Sequence, residues 1–140
     1  MSTDYKTLKI FCDGGSRGNP GPAASGTVFT DQDDQVVGEF HQYLGITTNN
    51  VAEYTAVILA INELKNYTVD EIRFFLDSEL VVRQLSGRYK VKNETLKPLH
   101  AQIQAWVAQT PNVSFTHVLR AKNKLADAQV NICLDQVASR

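Results

Sequence analysis

Leu8-Lys9-Ile10-Phe11-Cys12-Asp13 runs straight into Gly14-Gly15-Ser16-Arg17-Gly18-Asn19-Pro20-Gly21-Pro22. The first six residues alternate and are rich in β formers, so they predict a strand. The next nine are loop-forming by composition. Asp13 closes that strand, although aspartate is depleted in strands and a desolvated carboxylate is costly. The anomaly recurs at Asp77, directly after Ile72-Arg73-Phe74-Phe75-Leu76. Two apolar strands that each end in an acid are the frame around which the other segments arrange themselves.

Ser25 to Thr30 and Val36 to Leu44 predict two more strands, joined by the polar turn Asp31-Gln32-Asp33-Asp34. With the first strand they suggest an antiparallel meander. Thr47-Thr48-Asn49-Asn50 offers helix N-caps, and Ala52, Ala56, Leu59 and Ala60 follow with helical spacing. After the strand ending at Leu76, Ser78 to Leu85 predicts a short helix. Leu96, Leu99, Ile103, Trp106 and Val107 mark another, stopped by Pro111-Asn112. Val113 to Leu119 is the last predicted strand and Leu125 to about Val137 the last helix. The order β-β-β-α-β-α-α-β-α implies an α/β fold, a mixed sheet with helices packed on its faces. Residues 1–7 are expected to be a tail, and residues 8–140 a single domain.

The chain has 140 residues, 43% of them apolar and 21% charged, with 8 Gly and 4 Pro, which excludes a collagen-like, low-complexity or disordered chain. Apolar runs are too short to span a membrane, and the N-terminus lacks a signal-peptide pattern. Cys12 and Cys133 cannot make a disulfide framework, so a cytoplasmic, reducing location is expected. A monomer is expected as well, since no heptad or apolar stripe stands out. Net charge is −1 overall, but residues 1–70 carry −5 and residues 71–140 carry +4. Such a split can serve a polyanion that needs metal at one place and cations at another. On charge alone, solvated helix ends explain it equally well.

Glu53 and Asp127 fall in the first turns of predicted helices. In open α/β sheets, strand C-termini and helix N-termini meet at one edge, where ligands bind. Asp13, Glu53, Asp77 and Asp127 would therefore converge there and repel one another unless cations neutralise them. Mg²⁺ and Mn²⁺ take oxygen ligands and match such a cluster. Singly, Glu53 and Asp127 are explained by the helix dipole and Asp77 by capping. Jointly the four favour a metal site.

Four local words then resemble those of the type 1 ribonuclease H family. They are Phe11-Cys12-Asp13-Gly14-Gly15-Ser16-Arg17-Gly18-Asn19-Pro20-Gly21-Pro22, Thr48-Asn49-Asn50-Val51-Ala52-Glu53, Leu76-Asp77-Ser78-Glu79-Leu80 and His117-Val118-Leu119-Arg120-Ala121-Lys122-Asn123-Lys124-Leu125-Ala126-Asp127. The resemblance covers about Leu8 to Asn131, in the compact form seen in archaea and many bacteria. It implies a ribonuclease H-like mixed five-stranded sheet, three antiparallel strands then two parallel, with helices on both faces. It also implies an endonuclease that cuts the RNA strand of RNA/DNA hybrids with two Mg²⁺ or Mn²⁺ ions, leaving 5′-phosphate and 3′-hydroxyl ends. Asp13, Glu53, Asp77 and Asp127 would hold the ions. Asn19, Asn49, Asn50 and Glu79 would lie along the minor groove, where the 2′-hydroxyl tells RNA from DNA. Thr48 would lie near a DNA-strand phosphate. Gly14, Gly15, Ser78, Lys90, Lys92 and Asn93 complete the expected nucleic-acid contacts.

The chain departs from the family's pattern in two places. A loop histidine ahead of the last acid is missing, and His117 lies inside the predicted last strand, where a structural role fits it better. Arg120 is expected to substitute in part, electrostatically, because arginine cannot act as a base near neutral pH. The basic protrusion is reduced to the segment between Leu85 and Leu96, leaving Arg88, Tyr89, Lys90 and Lys92 to touch phosphate or sugar. No N-terminal hybrid-binding domain precedes Leu8, so affinity should be modest and salt-dependent. Rival readings are a broader ribonuclease that also cuts double-stranded RNA and a silent hybrid-binding module. A small-molecule phosphate enzyme ranks lower, since Gly14-Gly15-Ser16-Arg17-Gly18 lacks the Gly-Lys-Ser/Thr ending of a P-loop.

Overall fold

The computed structural model describes residues 4–139. Strands β1 (Asp4–Ser16), β2 (Gly21–Thr30) and β3 (Val36–Thr47) form the meander. Helix α1 (Asn49–Leu64), strand β4 (Thr68–Leu76) and helices α2 (Glu79–Leu85) and α3 (Leu96–Ala108) follow. Strand β5 (Val113–His117), a single 3₁₀ turn (Arg120–Lys122) and helix α4 (Lys124–Ala138) complete the order. The sheet order is β3-β2-β1-β4-β5. β1, β2 and β3 pair antiparallel, whereas β4 lies parallel to β1 and β5 parallel to β4. This is the mixed five-stranded sheet expected. No helix among the described residues is long and apolar enough to cross a membrane.

Alternation along β1 assigns each residue to a face. Leu8, Ile10 and Cys12 join the main core with Tyr54, Val57, Phe74, Leu85 and Ile103 from α1, β4, α2 and α3. A smaller cluster, Ala24, Val130, Cys133 and Leu134, lies under α4 on the opposite face. Phe29, Tyr54 and Phe74 are fully buried, each worth roughly 1.5–3 kcal/mol of apolar burial. Trp106 packs edge-on against Phe74, a core role. Cys12 and Cys133 are buried in different clusters across the sheet and do not form a disulfide.

Three boundaries differ from expectation. β1 begins at Asp4, which pairs with Thr68, so residues 4–7 belong to the sheet and only 1–3 of the expected tail lie outside the described residues. β1 and β2 run on through Ser16 and from Gly21, shrinking the predicted loop to residues 17–20. Ser16 pairs with Ala23 and Gly14 with Ser25, so small residues that read as loop are strand. β5 stops at His117, which is exposed, and Val118 adds one more hydrogen bond to Leu76.

Candidate active site

Cys12 pairs with Leu76 in the parallel ladder, so Asp13 and Asp77 emerge side by side one residue later. Glu53 reaches them because α1 lies directly on β1. A Cβ on Gly14 would sit 2.1 Å from the Ala52 carbonyl carbon and 2.3 Å from the Glu53 nitrogen. Ser25 Oγ pins the same helix, donating to the Ala52 carbonyl at 2.7 Å. On the other face, a Cβ on Gly26 would sit 2.7 Å from the Ala126 carbonyl, so α4 is equally close. Two glycines, one per face, thus bring α1 and α4 onto neighbouring strands.

One carboxylate oxygen each from Asp13, Glu53 and Asp77 lies within 4.8 Å of the others. Asp127 lines the same cleft, where its charge bears on Asp13, but lies outside the group of three oxygens. Burial, reinforced by the charges of Asp77, Asp127 and Glu53, pushes Asp13 up to about 8. Burial likewise pushes Glu53 up to about 7, against a Ser78 hydrogen bond that favours its charge. Glu53 Oε2 is buried with no hydrogen-bond donor. Hard oxygen donors this close, one of them an orphaned acceptor, fit a divalent cation.

The acids line one cleft of about 570 Å³ with Gly14, Gly15, Ser16, Arg17, Asn49, Arg120 and Asn131. Arg120 opens the 3₁₀ turn there and makes no ion pair with any described residue. A neighbouring depression gathers Asn19, Thr48, Asn49, Asn50 and Asn93. Glu79 lines a third, between α2 and β5, with Arg83, Arg88 and His117. Ser78 caps α2, its Oγ accepting from Val81 N–H at 3.4 Å. Lys90 and Lys92 are exposed on the connecting segment and line none of these three depressions. Asn93 caps the start of α3, accepting from Thr95 N–H at 2.8 Å and Leu96 N–H at 3.2 Å.

The amides are held by backbone donors. Asn49 Oδ1 accepts from Ser16 N–H at 2.8 Å and from Ser16 Oγ at 3.0 Å. Asn19 Oδ1 accepts from Asn49 N–H at 3.1 Å. A backbone N–H can only donate, so these bonds fix which end of each amide is oxygen. The NH₂ ends of Asn19 and Asn49 have no partner among the described residues.

Asn123 escaped the sequence reading, where it is one polar residue of a short connection. It is fully buried. Its Nδ2 donates to the Cys12 carbonyl at 2.9 Å and to Asp77 Oδ2 at 3.3 Å, and its backbone carbonyl accepts from Asp127 N–H at 3.1 Å. The side chain thus ties the end of β1 to the Asp77 carboxylate, while the backbone carbonyl opens the first turn of α4 and Oδ1 stays buried without a hydrogen-bond partner. The only sequence signal was its position just before a helix carrying an acid.

The reverse transcriptase-like family model matches residues 11–133. The bifunctional protein Rv2228c of Mycobacterium tuberculosis is 42% identical over 92% of this chain and 36% of its own length. Ribonuclease HI of Halobacterium salinarum is 39% identical over 91% of this chain and 64% of its own. The chain therefore spans about a third to two-thirds of the length of these curated relatives. The crystal structure of LC11-RNase H1 in complex with an RNA/DNA hybrid, from an enzyme isolated from compost by a metagenomic approach, superposes with a TM-score of 0.89 at 43% identity, covering 94% of this chain and 99% of that one. The fold is that of the ribonuclease H enzymes, an acid-bearing mixed sheet with a carboxylate cluster at its edge that could hold metal ions. The chain belongs to the ribonuclease H family.

Proposed function

We propose that this chain hydrolyses the RNA strand of RNA/DNA hybrids as a metal-dependent endonuclease, leaving 5′-phosphate and 3′-hydroxyl ends. The observation that carries this reading is the carboxylate cluster, three oxygens within 4.8 Å and a fourth acid in the same cleft, beside a ledge of oriented amides. The hybrid bound by LC11-RNase H1 supports the choice of substrate.

Asp13, Glu53, Asp77 and Asp127 would hold two Mg²⁺ or Mn²⁺ ions. Such ions supply charge that activates water and eases departure of the 3′ oxygen. The chain's own residues prepare that site. Burial and mutual repulsion make Asp13 and Glu53 hold protons more tightly in the metal-free protein, so ion binding would compete with protonation there. Asn123 and Ser78 fix the Asp77 and Glu53 carboxylates. The free NH₂ ends of Asn19 and Asn49, with Asn50 and Glu79, would read the minor groove and its 2′-hydroxyls. Thr48, Gly14, Gly15, Ser78, Lys90, Lys92 and Asn93 would add backbone and phosphate contacts. Arg120, unpaired in the cleft, would stabilise charge on the cleaved phosphate. The working form in this reading is a cytoplasmic monomer, which two buried cysteines without a disulfide suit.

The test is cleavage of end-labelled RNA/DNA hybrid, duplex RNA and duplex DNA, with Mg²⁺, Mn²⁺ or EDTA. Metal-dependent cutting of the RNA strand of the hybrid is expected. Binding without cutting would make the chain a hybrid-binding module, and equal cutting of duplex RNA would make it a broader ribonuclease.

A further inference from the structure

The cleft has a second cation that the cluster does not use. Arg17 sits in the four-residue turn between β1 and β2, four residues beyond Asp13. Its backbone is fixed by a 2.9 Å bond from its N–H to the Pro22 carbonyl. Gly21 packs so tightly beneath that a Cβ there would sit 2.2 Å from the Arg17 carbonyl oxygen. The side chain crosses to α4, where Nη2 meets Asp135 Oδ1 at 2.6 Å.

This ion pair is poorly explained as a stability device. The two side chains are 44% and 70% exposed, and exposed pairs are worth little. Only one guanidinium nitrogen is engaged, which leaves the other donors of the fork open. The cleft itself is crowded with carboxylates, and Arg17 and Arg120 are the cations of its lining. Arg120 lies in the turn before α4, whereas Arg17 lies at the far end of β1, roughly 13 Å along the extended chain from Asp13. That is too far for the phosphate being cut and suits a flanking one. Ser16, its neighbour, holds Asn49 in the same cleft, so a strand read by Asn49 passes within reach of Arg17.

We propose that Arg17 binds a phosphodiester of the substrate strand flanking the scissile bond, and that Asp135 occupies its guanidinium until substrate displaces it. The proposal rests on the nuclease reading above. Asp135 then acts as a built-in competitor. Removing the arginine weakens binding, and removing the competing carboxylate strengthens it. A structural ion pair predicts the same sign for both losses.

The experiment measures kcat, KM and melting temperature for wild type, Arg17→Ala, Arg17→Lys and Asp135→Asn on one RNA/DNA hybrid across a salt series. Arg17→Ala should raise KM about 3- to 10-fold with kcat within twofold, and lower the slope of log KM against log salt by about 0.8, one phosphate contact. Arg17→Lys should recover part of the loss, and Asp135→Asn should lower KM about 2- to 3-fold. Unchanged KM in Arg17→Ala, or KM moving the same way in Arg17→Ala and Asp135→Asn, overturns the contact. A wild-type protein that does not cut the hybrid overturns the nuclease reading, and the contact with it.

Discussion

Gly14→Ala is the sharpest probe of how the fold builds the site. The added Cβ would lie 2.1 Å from the Ala52 carbonyl carbon, 2.3 Å from the Glu53 nitrogen and 2.4 Å from the Ala52 oxygen, all backbone. Ordinary contact begins near ~3.5 Å, so α1 must recede from β1 by more than about 1 Å. No side-chain rotation relieves this. Overpacking of this kind costs about 1–3 kcal/mol, which for a chain this size is a melting-temperature loss of roughly 3–10 °C. The receding segment carries Glu53, and misplacing a reacting group by about 1 Å costs on the order of 10²-fold in rate. Gly15→Ala is the control, because its Cβ would sit 3.7 Å from Val130 Cγ1, an ordinary contact. Calorimetry and kcat at saturating Mg²⁺ on both variants decide the matter. Gly14→Ala with wild-type melting and wild-type kcat refutes the packing account. Gly15→Ala losing as much as Gly14→Ala would mean that both glycines are needed for backbone approach by substrate instead.

Asp77→Asn keeps size and can keep the Asn123 bond while removing one charge from the cluster, so hybrid cleavage should be nearly abolished and melting temperature should hold or rise; near wild-type turnover counts against the metal reading. Asp13 and Glu53 are raised in the folded, metal-free protein, so the stability they contribute is complete below the ordinary carboxylate range and is lost as pH rises through about 7 to 8. Melting of the metal-free protein should therefore fall between pH 5 and pH 8.5, more steeply than in Asp13→Asn, with Mg²⁺ stabilising more at the higher pH. Asn123→Ala strands the Cys12 carbonyl at a cost of about 1–3 kcal/mol and should raise the Mg²⁺ needed for half-maximal rate; Asn123→Asp, like-charged beside Asp77, should lose more activity despite its similar shape. Arg120→Ala should lower kcat roughly 10- to 100-fold with metal requirement unchanged, and an unchanged kcat would retire its role.

The meander, the helices and the convergence of Asp13, Glu53, Asp77 and Asp127 were legible because each rests on local signals. Alternation and helical spacing read the elements, and an acid ending an apolar strand is anomalous without any tertiary knowledge. Gly14, Gly15, Gly21 and Pro22 read as loop, yet they pair in strands. The smallness of Gly14 answers to α1 pressed against the sheet, and that helix is distant in sequence. Asp4 to Thr7 carry weak strand character and are held by parallel pairing with β4, another long-range partner. Asn123 is buried only because the ends of β1 and β4 close over it, which no local pattern records. Lys90 and Lys92 show the reverse limit, since charge marks a residue as basic without placing it in a depression.

Capping and recognition, weighed as rivals at Asn19, Thr48, Asn49 and Ser78, are two uses of different atoms. Asn19 and Asn49 spend their carbonyl oxygens on backbone N–H groups of the β1–β2 turn region and α1, and this turns their NH₂ ends outward. Ser78 Oγ accepts from Val81 N–H as a cap while its hydroxyl hydrogen remains to stabilise the Glu53 carboxylate. The cluster needs such donors, because four acids in a partly buried cleft are costly without them. The helix N-termini of α2 and α4 carry Glu79 and Asp127 in their first turns, a favourable dipole arrangement, whereas Glu53, expected in a first turn, lies one turn further into α1. A substitution that removes a cap therefore also removes an orientation. Ser78→Ala frays α2 and unpins Glu53 together, whereas a glycine at the same position largely retains the cap energy and loses only the hydroxyl. Ser78→Gly against wild type therefore reads the bond to Glu53, and the difference between the two variants reads the cap on α2.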